Sequence, residues 1–391
     1  MNYIFSDKIS ALKPSAIREI LKATSQPGMI PFAAGNPAPE AFPVDDVRDI
    51  TARLLAERPV DCLQYGITEG FSPLRGRIRE DIKSRLSIGT DADDLIIASG
   101  AMQVMDLATK VLCNEGDVII AESPSFIGSL NTFRSYGVRM RGVPMEHDGM
   151  DIGQLEQVLQ SEKNVRFIYT IPNYQNPSGI TMSLAKRKRL YELALQYGVL
   201  ILEDNPYGEL RYEGEALPCI KSFDTDGIVV YAGSFSKILS PGMRVGYALA
   251  PQEIIAKMTV GKQASDVHTT ILCQLIVDEW MQRCDVAAHV ENICGIYKKK
   301  LDIMCSGLAG TALRFEKPAG GLFLWCALPD EICMLELAKR AVEAGVAVVP
   351  GAAFAVEASD KINAVRLNFS TPTDEQLTKG VGVLKGVLEG F

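Results

Sequence analysis

Short, nearly continuous apolar runs alternate with longer amphipathic stretches through the middle of this chain. The apolar runs predict strands at Asp94–Ala98, Val118–Ala121, Arg139–Pro144, Arg166–Thr170, Val199–Leu202 and Ile228–Ala232. The stretches around them predict helices at Leu74–Leu86, Ala101–Ala108, Phe126–Tyr136, Ile152–Gln160 and Leu184–Tyr197. Apolar strands that alternate with helices are typical of a mostly parallel sheet covered on both faces. The pattern therefore predicts an α/β fold with ligands at the carboxyl ends of its strands.

Helical patterns become longer beyond Pro251, and short strand patterns return near the end of the chain. The helical patterns cover Ile254–Met281, Val286–Leu308 and Leu335–Ala344, and the strand patterns cover Gly320–Cys326, Val346–Val349 and Ala364–Phe369. This change predicts a large domain over residues 46-285 and a smaller α+β domain over residues 286-391. We expect residues 1-45 to pack with the small domain and the active site.

The N-terminal segment combines a short helical pattern, Ser15–Leu21, with a loop-forming stretch, Met29–Pro39. That stretch contains a glycine and three prolines, which fit poorly inside a helix or a central strand. We expect an extended loop with exposed backbone. A plain linker is the simpler interpretation, and a strip of backbone along a ligand site is the alternative.

The composition excludes some classes of protein but does not identify one. With 391 residues, of which 47% are hydrophobic and 23% charged, the chain is typical of globular proteins with ample core. A net charge of -8 argues against a general nucleic-acid binder, which needs a basic face. No apolar run approaches the ~20 residues of a membrane helix, and Met1–Lys8 shows no apolar signal-peptide region. We therefore expect a cytoplasmic protein that binds neither nucleic acid nor membranes.

The cysteines and histidines exclude two further kinds of site. Nine scattered cysteines form no C-x-x-C pair, which indicates small core residues in a reducing compartment rather than disulfides. The histidines are His147, His268 and His289, and their spacing matches no metal-ligand motif. A metal site and a histidine general base are therefore both unsupported.

One lysine follows the predicted strand Ile228–Ala232 and has polar residues near it in the sequence. Lys237 follows Ser234 and Ser236, and Arg244 comes seven residues later. Hydroxyl groups, backbone N–H groups and a guanidinium can hold a phosphate dianion, while the lysine amine can form a Schiff base with an aldehyde cofactor. A polar loop after a strand explains the same residues about equally well.

A second candidate for anion binding lies where the predicted strand Asp94–Ala98 ends. The turn Ser99-Gly100 leads into a helix that begins at Ala101 and Met102. Unpaired N–H groups and the positive end of the helix dipole attract an anion at such a point. An ordinary strand-to-helix turn, which is common in α/β proteins, is the alternative, and on its own this pattern is only weak evidence for an anion site.

Acidic and aromatic candidates follow the next strands. Asp204 ends the run Val199–Leu202-Glu203, where a buried carboxylate needs a cation such as a protonated pyridine nitrogen. Tyr207 could then donate to a phenolate oxygen of the same ring, although a helix N-cap is the commoner role of such an aspartate. Phe126 could cover the face of a flat ring, or belong to the core.

Two further residues could bind a ligand or serve the fold alone. Asn176 lies in the loop Ile171–Gly179, among prolines and a glycine, and could bind a ring oxygen or close a turn. Arg366 interrupts an apolar strand pattern, so its guanidinium must meet an anion. Two alternatives remain for that anion: a substrate carboxylate, or a carboxylate of the chain in an internal salt bridge.

Together these motifs resemble the class I/II pyridoxal-phosphate aminotransferases of fold type I. The matching stretches are Ser-Phe-Ser-Lys with Pro-Gly-Met-Arg-Val-Gly, Pro-Asn-Tyr-Gln-Asn-Pro-Ser-Gly, Glu-Asp-Asn-Pro-Tyr and Arg-Leu-Asn-Phe-Ser. The opening Ser15–Glu19 and Gly35–Pro39 resemble the branch with 2-aminoadipate/kynurenine and multi-substrate aromatic aminotransferases. The resemblance runs in order along nearly the whole chain. It implies pyridoxal 5'-phosphate as cofactor and a large cofactor-binding domain over residues 46-285.

The resemblance also implies a role for each candidate. Lys237 would be the Schiff-base lysine and proton shuttle, and Arg366 and the Gly35 backbone would meet the substrate carboxylate. The ring would be bound by Asp204, Asn176, Tyr207 and Phe126, and the phosphate by Ala101, Met102, Ser234, Ser236 and Arg244. Tyr65 would reach the partner's cofactor phosphate in a homodimer. Arg18 would face the substrate side chain.

Some residues depart from the family pattern. Ala101 stands where many relatives carry serine, so one hydroxyl contact to the phosphate is expected to be lost. Ala34 and Asn36 replace a common glycine and leucine, which leaves the side-chain pocket open to question.

These expectations combine into an aminotransferase that works by ping-pong half-reactions. The favoured donors are 2-aminoadipate-like, aromatic or branched L-amino acids, with a 2-oxo acid such as 2-oxoglutarate as acceptor. One alternative is a β-lyase that uses the same cofactor. Another is a non-catalytic sensor of the kind fused to a helix-turn-helix domain. The acidic charge and the early first motif argue against the sensor.

Overall fold

A computed structural model describes residues 3–10 and 28–391 of the chain. Within them, eight strands form one sheet: β1 (Asp93–Ala98), β2 (Val118–Ser123), β3 (Arg139–Glu146), β4 (Gly149–Met150), β5 (Val165–Thr170), β6 (Leu200–Asp204), β7 (Val229–Ser234) and β8 (Gly246–Pro251). Their order is β1-β8-β7-β6-β5-β2-β3-β4. The five central strands, from β7 to β3, are mutually parallel, and β8, β1 and β4 pair antiparallel. The expected mostly parallel sheet is confirmed.

A smaller antiparallel sheet lies in the last quarter of the chain. It contains β9 (Phe323–Ala327), β10 (Val349–Pro350) and β11 (Ala364–Asn368), in the order β10-β11-β9. The N-terminal strip attaches here, because Ile30 bridges Val346 and the Phe32 carbonyl accepts from the Asn368 N–H at 2.7 Å. This strip is therefore packed against the small sheet.

Helices cover the sheets and bury their apolar faces. They are α1 (Asp7–Ser10), α2 (Val44–Glu57), α3 (Pro59–Leu63), α4 (Ser72–Leu86), α5 (Ala101–Leu112), α6 (Ile127–Arg134), α7 (Ile152–Ser161), α8 (Leu184–Tyr197), α9 (Gln252–Gln263), α10 (Ile271–Arg283), α11 (Val286–Leu308), α12 (Met334–Glu343) and α13 (Asp374–Glu389). Strands β2 and β5 have buried residues on both faces, as expected for a covered parallel sheet. No helix in the described ranges is long and apolar enough to cross a membrane.

The predicted helix Ile254–Met281 is wrong, because the structure contains two helices, α9 and α10, instead. Residues 264–270 separate them, and Val267 has a left-handed φ of 65°. Asp266 in this turn accepts from Lys262 at 2.9 Å and from Ser99 at 2.8 Å. These side-chain bonds fix a turn that apolar periodicity does not indicate.

Two strand predictions also need correction. The predicted strand Val346–Val349 is shorter and later, at β10, since Val346 only bridges Ile30. Strand β8 is not predicted, because Gly246 and its alanines have low strand propensity. A Cβ on Gly246 would lie 2.8 Å from the Ala101 nitrogen, so this glycine allows the strand to approach the start of α5.

Candidate active site

One cavity of about 310 Å³ lies at the carboxyl ends of β5, β6 and β7 and extends to the small sheet. Its wall contains most of the predicted site residues: Gly35, Ala101, Met102, Phe126, Asn176, Asp204, Tyr207, Ser234, Ser236, Lys237, Arg244 and Arg366. Residues separated by more than 300 positions thus share one site. The rule that ligands bind outside the carboxyl ends of parallel strands predicts this location.

Lys237 follows β7 and places its amino group in the cavity. Its Nζ donates to the backbone carbonyl of Gly35 at 2.9 Å. Burial, with the positive charges of Arg366 and Arg244, lowers the pKa of Lys237 to about 8. About a tenth of this amine is therefore neutral, and so nucleophilic, at pH 7, far more than for an ordinary lysine.

Asp204 is the last residue of β6 and caps no helix. Its Oδ2 accepts from the Tyr169 hydroxyl at 2.8 Å, whereas Oδ1 has no hydrogen-bond partner among the described residues. Burial raises the pKa of Asp204 to about 7, against the opposing effect of the Tyr169 hydrogen bond. An unpartnered buried carboxylate oxygen on a cavity wall fits a cationic N–H donor from a ligand.

Arg366, on β11, is a buried cation between two aromatic rings. Its guanidinium carbon lies 4.2 Å from the ring centre of Phe323 and 4.9 Å from that of Phe354. It donates to the carbonyls of Ala33 and Ala34, at 2.9 and 3.2 Å. No carboxylate of the described ranges pairs with it, and its Nε has no partner there. Burial lowers its pKa to about 10, so the site favours an incoming carboxylate.

Asn176 joins Arg366 to the ring-binding candidates. Its Oδ1 accepts from the Arg366 guanidinium at 3.0 Å, and its Nδ2 donates to the Tyr207 hydroxyl at 3.3 Å. The side chain is buried and lines the cavity. It therefore does more than close a turn.

The start of α5 and the segment after β7 form a cradle of N–H, hydroxyl and guanidinium groups that suits an anion. Gly100, with φ 79°, precedes α5 and provides no side-chain cap, so the first N–H groups of the helix remain available. Arg244 lies across this turn and donates to the Ser99 carbonyl at 3.2 Å. A Cβ on Gly100 would lie only 2.2 Å from Arg244 Nη2, which explains why glycine is needed. Ser234 and Ser236 line the same cavity, and the Ser234 hydroxyl accepts from the Ser236 N–H at 3.1 Å.

Aromatic rings form the walls between these polar groups. Phe126 is half-buried on the cavity wall, and a Cβ on Gly128 would lie 2.7 Å from its ring. Phe323 meets Tyr207 edge to face with ring centres 5.8 Å apart. The cavity therefore has the flat apolar walls that an aromatic ligand requires.

Two predicted site residues are not on this wall. The side chain of Tyr65 is 81% exposed and meets the His268 ring edge to face at 5.7 Å. Within a single chain it does not reach the cavity. Arg18 lies outside the described residues.

Three residues near the cavity were not predicted. The sequence pattern indicates Tyr169 only as part of an apolar strand, and Phe323 only as part of a strand pattern. Glu122 ends an apolar strand in the same way as Asp204, so the signal used for Asp204 could have identified it. It is fully buried just beyond the site.

Residues 27–384 match the family described as Aminotransferase class I and II. Aromatic-amino-acid aminotransferase 1 of Thermococcus litoralis is 40% identical over 384 residues, 96% of this chain and 92% of the relative. The 2-aminoadipate transaminase of Thermus thermophilus is 37% identical over 393 residues, 99% of this chain and 97% of the relative.

A solved structure shows the same architecture. It is the α-aminoadipate aminotransferase of Thermus thermophilus, complexed with N-(5'-phosphopyridoxyl)-L-leucine. At 36% identity, it superposes with a TM-score of 0.90 over 99% of this chain and 97% of its own. The fold, the cavity and these similarities define a fold type I enzyme. The chain belongs to the class I and II aminotransferases, as the sequence motifs predict.

Pyridoxal 5'-phosphate is the cofactor of this family, and the cavity fits it. The amine of Lys237 suits an aldehyde, and the unpartnered Oδ1 of Asp204 suits a protonated ring nitrogen. The cradle between Gly100 and Arg244 suits a phosphate. The residues present therefore agree with the chemistry of this group.

Proposed function

We propose that this chain transfers the amino group of an L-amino acid to a 2-oxo acid such as 2-oxoglutarate, by a ping-pong mechanism. The observation that carries the proposal is the position of Lys237. Its partly neutral amine shares one cavity with a buried carboxylate, Asp204, and with a buried cation, Arg366, that has no carboxylate partner among the described residues. Transamination needs these three functions in one place.

The bound cofactor supplies an electron sink for the substrate Cα and carries the amino group between the two half-reactions. Lys237 provides the amine that attaches it. Once displaced by the substrate, the neutral Nζ can take the proton from Cα and return it later, which explains why no histidine base is needed. Burial favours this role because it holds the lysine pKa near 8.

Four further residues would bind the cofactor ring and orient it. Asp204 would hold the ring proton through Oδ1, with Tyr169 fixing its other oxygen. Asn176 and Tyr207 would bind the phenolic oxygen of the ring, with Phe126 against its face. This arrangement needs no movement of the carboxylate during the reaction, which lowers the reorganisation energy.

The remaining polar groups would hold the phosphate and the substrate. Ser234, Ser236 and Arg244 would bind the phosphate with the backbone at Ala101 and Met102. Arg366 would take the α-carboxylate of the substrate, with the Gly35 backbone beside it.

Substrates of the 2-aminoadipate-like, aromatic and branched classes suit this cavity. The names of the two relatives refer to aromatic amino acids and to 2-aminoadipate. The cavity wall includes the apolar residues Ile127, Phe323 and Pro206. An apolar side chain is therefore a natural occupant, and Arg18 would take a second carboxylate in the 2-aminoadipate class.

We also infer a homodimer in which Tyr65 reaches the phosphate of the partner subunit's cofactor. The exposed ring of Tyr65 has exposed apolar neighbours, Val60, Leu63 and Ile67. Such a cluster on the surface of one chain is typical of a protein interface.

Along the chain, we infer the predicted division at residues 46-285 and 286-391, with residues 1-45 as the N-terminal segment. The eight-stranded sheet lies between residues 93 and 251, and the three-stranded sheet between residues 323 and 368. This separation supports one boundary near the start of α11.

The test is a panel of 2-aminoadipate, aromatic and branched donors with 2-oxoglutarate, with glutamate formation as the readout. We expect turnover with the wild type, and none with Lys237→Ala. If pyruvate and ammonia form from a β-substituted amino acid without acceptor, and no donor yields glutamate, the enzyme is a lyase and the proposal fails.

A further inference from the structure

Glu122 is a fully buried carboxyl group at the end of β2 with no part in the chemistry proposed above. It is held by three hydrogen bonds. The Thr170 hydroxyl lies 2.5 Å from Oε1, and Oε2 accepts from the Ile171 N–H at 3.1 Å and from Gln175 Nε2 at 3.2 Å. A buried carboxyl group with this many hydrogen-bond partners holds in place the segment to which those partners belong.

All three partners belong to one segment, the end of β5 and the loop that follows it. Gln175 extends the link, because its Nε2 also donates to the Pro124 carbonyl at 2.8 Å. Its Oε1 accepts from the Ser178 N–H at 2.8 Å. The Glu122–Gln175 pair therefore ties the loop after β5 to the loop after β2.

The next residue in the loop, Asn176, contacts the proposed substrate site directly. Its Oδ1 accepts from the Arg366 guanidinium at 3.0 Å. Because Asn176 belongs to the loop, and Arg366 to the small sheet, their contact depends on where the loop is held. A displacement of even one ångström can cost a large factor in substrate binding or turnover.

We propose that Glu122 is a positioning residue that sets the affinity for the substrate carboxylate, by holding the loop that aligns Asn176 with Arg366. This inference rests on the proposed function, in which Arg366 binds that carboxylate. It assigns Glu122 no contact with the substrate or with the cofactor.

The hydrogen-bond pattern indicates that the length of the side chain at position 122, rather than its charge, determines whether it can hold the loop. Oε2 must accept two N–H bonds, whereas the Thr170 hydroxyl beside Oε1 can donate or accept. A glutamine amide can satisfy all three contacts. An aspartate keeps the charge but is one methylene shorter, so it cannot make them without moving the loop.

Glu203 provides a matched control on the neighbouring strand β6. It is also fully buried, and it accepts from the N–H groups of Ile220 and Lys221 at 2.9 and 2.8 Å. Those partners lie outside the cavity wall. Shortening Glu203 therefore disturbs a similar buried carboxylate without removing a side-chain hydrogen bond from the loop that contains Asn176.

The experiment compares Glu122→Gln, Glu122→Asp and Glu203→Asp in the holoenzyme. It measures KM and kcat for the best donor, and the Kd for 3-phenylpropionate, a carboxylic acid without an amino group, by calorimetry. We expect Glu122→Asp to raise KM and Kd about tenfold, with kcat changed less than about threefold. Glu122→Gln should restore both constants to within about twofold of the wild type.

Equal KM values for the two Glu122 variants would overturn the proposal, as would an equal rise in Glu203→Asp. If Glu122→Asp does not fold, Gln175→Ala removes the same link from the loop side and should raise KM about tenfold. Wild-type KM in that variant would also overturn it. Failure of the proposed function is distinguishable, because the wild type would then form no glutamate from any donor.

Discussion

The amino group of Lys237 donates a hydrogen bond to the backbone carbonyl of Gly35 at 2.9 Å. Arg366 donates in the same way to the carbonyls of Ala33 and Ala34. The N-terminal strip thus provides these two cations with neutral acceptors, and no carboxylate in the part of the chain that the structure describes pairs with either of them. A cavity with this excess of positive charge is prepared for an anionic cofactor and an anionic substrate.

Replacing Lys237 with methionine should stabilise the apoprotein at pH 7. The folded-state pKa of about 8 lies below the ordinary 10.5, so the folded protein disfavours the charged amine. The advantage of Lys237→Met should be about 1–3 kcal/mol below pH 8. It should decline as the pH rises from 8 towards 10.5, since the unfolded lysine then loses its proton as well. Thermal unfolding of both proteins across this pH range measures the difference in stability.

Lys221→Met is the control for that measurement. Lys221 is buried and, unlike Lys237, pairs with two carboxylates, Asp93 and Asp224, each at 2.8 Å. Its removal leaves two buried carboxylates unpaired and should destabilise the protein. A Lys237→Met variant less stable than the wild type at pH 7 would contradict the assignment of an uncompensated amine.

Gly100→Ala should weaken the binding of the cofactor. The added Cβ would lie 2.2 Å from Arg244 Nη2, so the guanidinium must leave the start of α5. We expect the Kd for pyridoxal 5'-phosphate to rise about tenfold or more, since a charge-assisted contact to the phosphate is lost. Equilibrium dialysis or fluorescence quenching measures this Kd.

Gly310→Ala separates that effect from backbone strain. Gly310 has φ 77°, close to the 79° of Gly100, but open space where its Cβ would lie. Both variants should lose about 1 kcal/mol of stability from the left-handed backbone. If both weaken the cofactor equally, Arg244 is not part of the phosphate cradle.

Asp204→Asn should reduce kcat by about 100-fold or more while the protein stays folded, because an amide does not hold the ring nitrogen protonated. Burial raises the pKa of Asp204 to about 7 in the empty site. The advantage of the apo variant over the wild type should therefore grow as the pH rises from the ordinary 3.8 to about 7, because the unfolded carboxyl ionises in this range while the folded one resists ionisation, and it should be complete above pH 7. Turnover at pH 8 tests the first part, and thermal unfolding compared between about pH 4 and pH 8 tests the second. A Glu203→Gln variant should retain turnover, and similar losses in both variants would contradict a specific role for Asp204.

Mixing two inactive variants should restore activity if Tyr65 acts across a dimer. A hybrid of Tyr65→Ala and Lys237→Ala subunits contains one site with both residues intact. Random reassociation should recover about a quarter of wild-type activity at limiting cofactor. No recovery beyond the sum of the separate variants would show that Tyr65 acts within its own chain or not at all.

The sequence predicts the central sheet because its strands are buried on both faces and therefore apolar throughout. Helix α8 matches its predicted bounds, Leu184–Tyr197, because Ser183 caps its start and Gly198 ends it. Strand β8 was missed, since Gly246 is selected by close contact with α5 rather than by strand propensity. Such contacts between distant segments leave no local pattern.

A single residue indicates the site most clearly where it contradicts its surroundings. Asp204 and Arg366 are charged residues in apolar strands, so each indicates a partner that sequence alone does not identify. Tyr169 carries no such signal, because tyrosine is common in strands and its bond to Asp204 depends on the register of β5 and β6. The Gly35 carbonyl is a backbone group, so no side chain in the sequence indicates its contact with Lys237.

The most direct test of this account maps the lysine that binds the cofactor. The holoenzyme is reduced with borohydride, digested, and its peptides are analysed by mass spectrometry for the phosphopyridoxyl group. We predict that this group is on Lys237 in the wild type and absent from that peptide when substrate displaces the lysine before reduction. Modification of a different lysine, with Lys237 unmodified, would contradict the central claim.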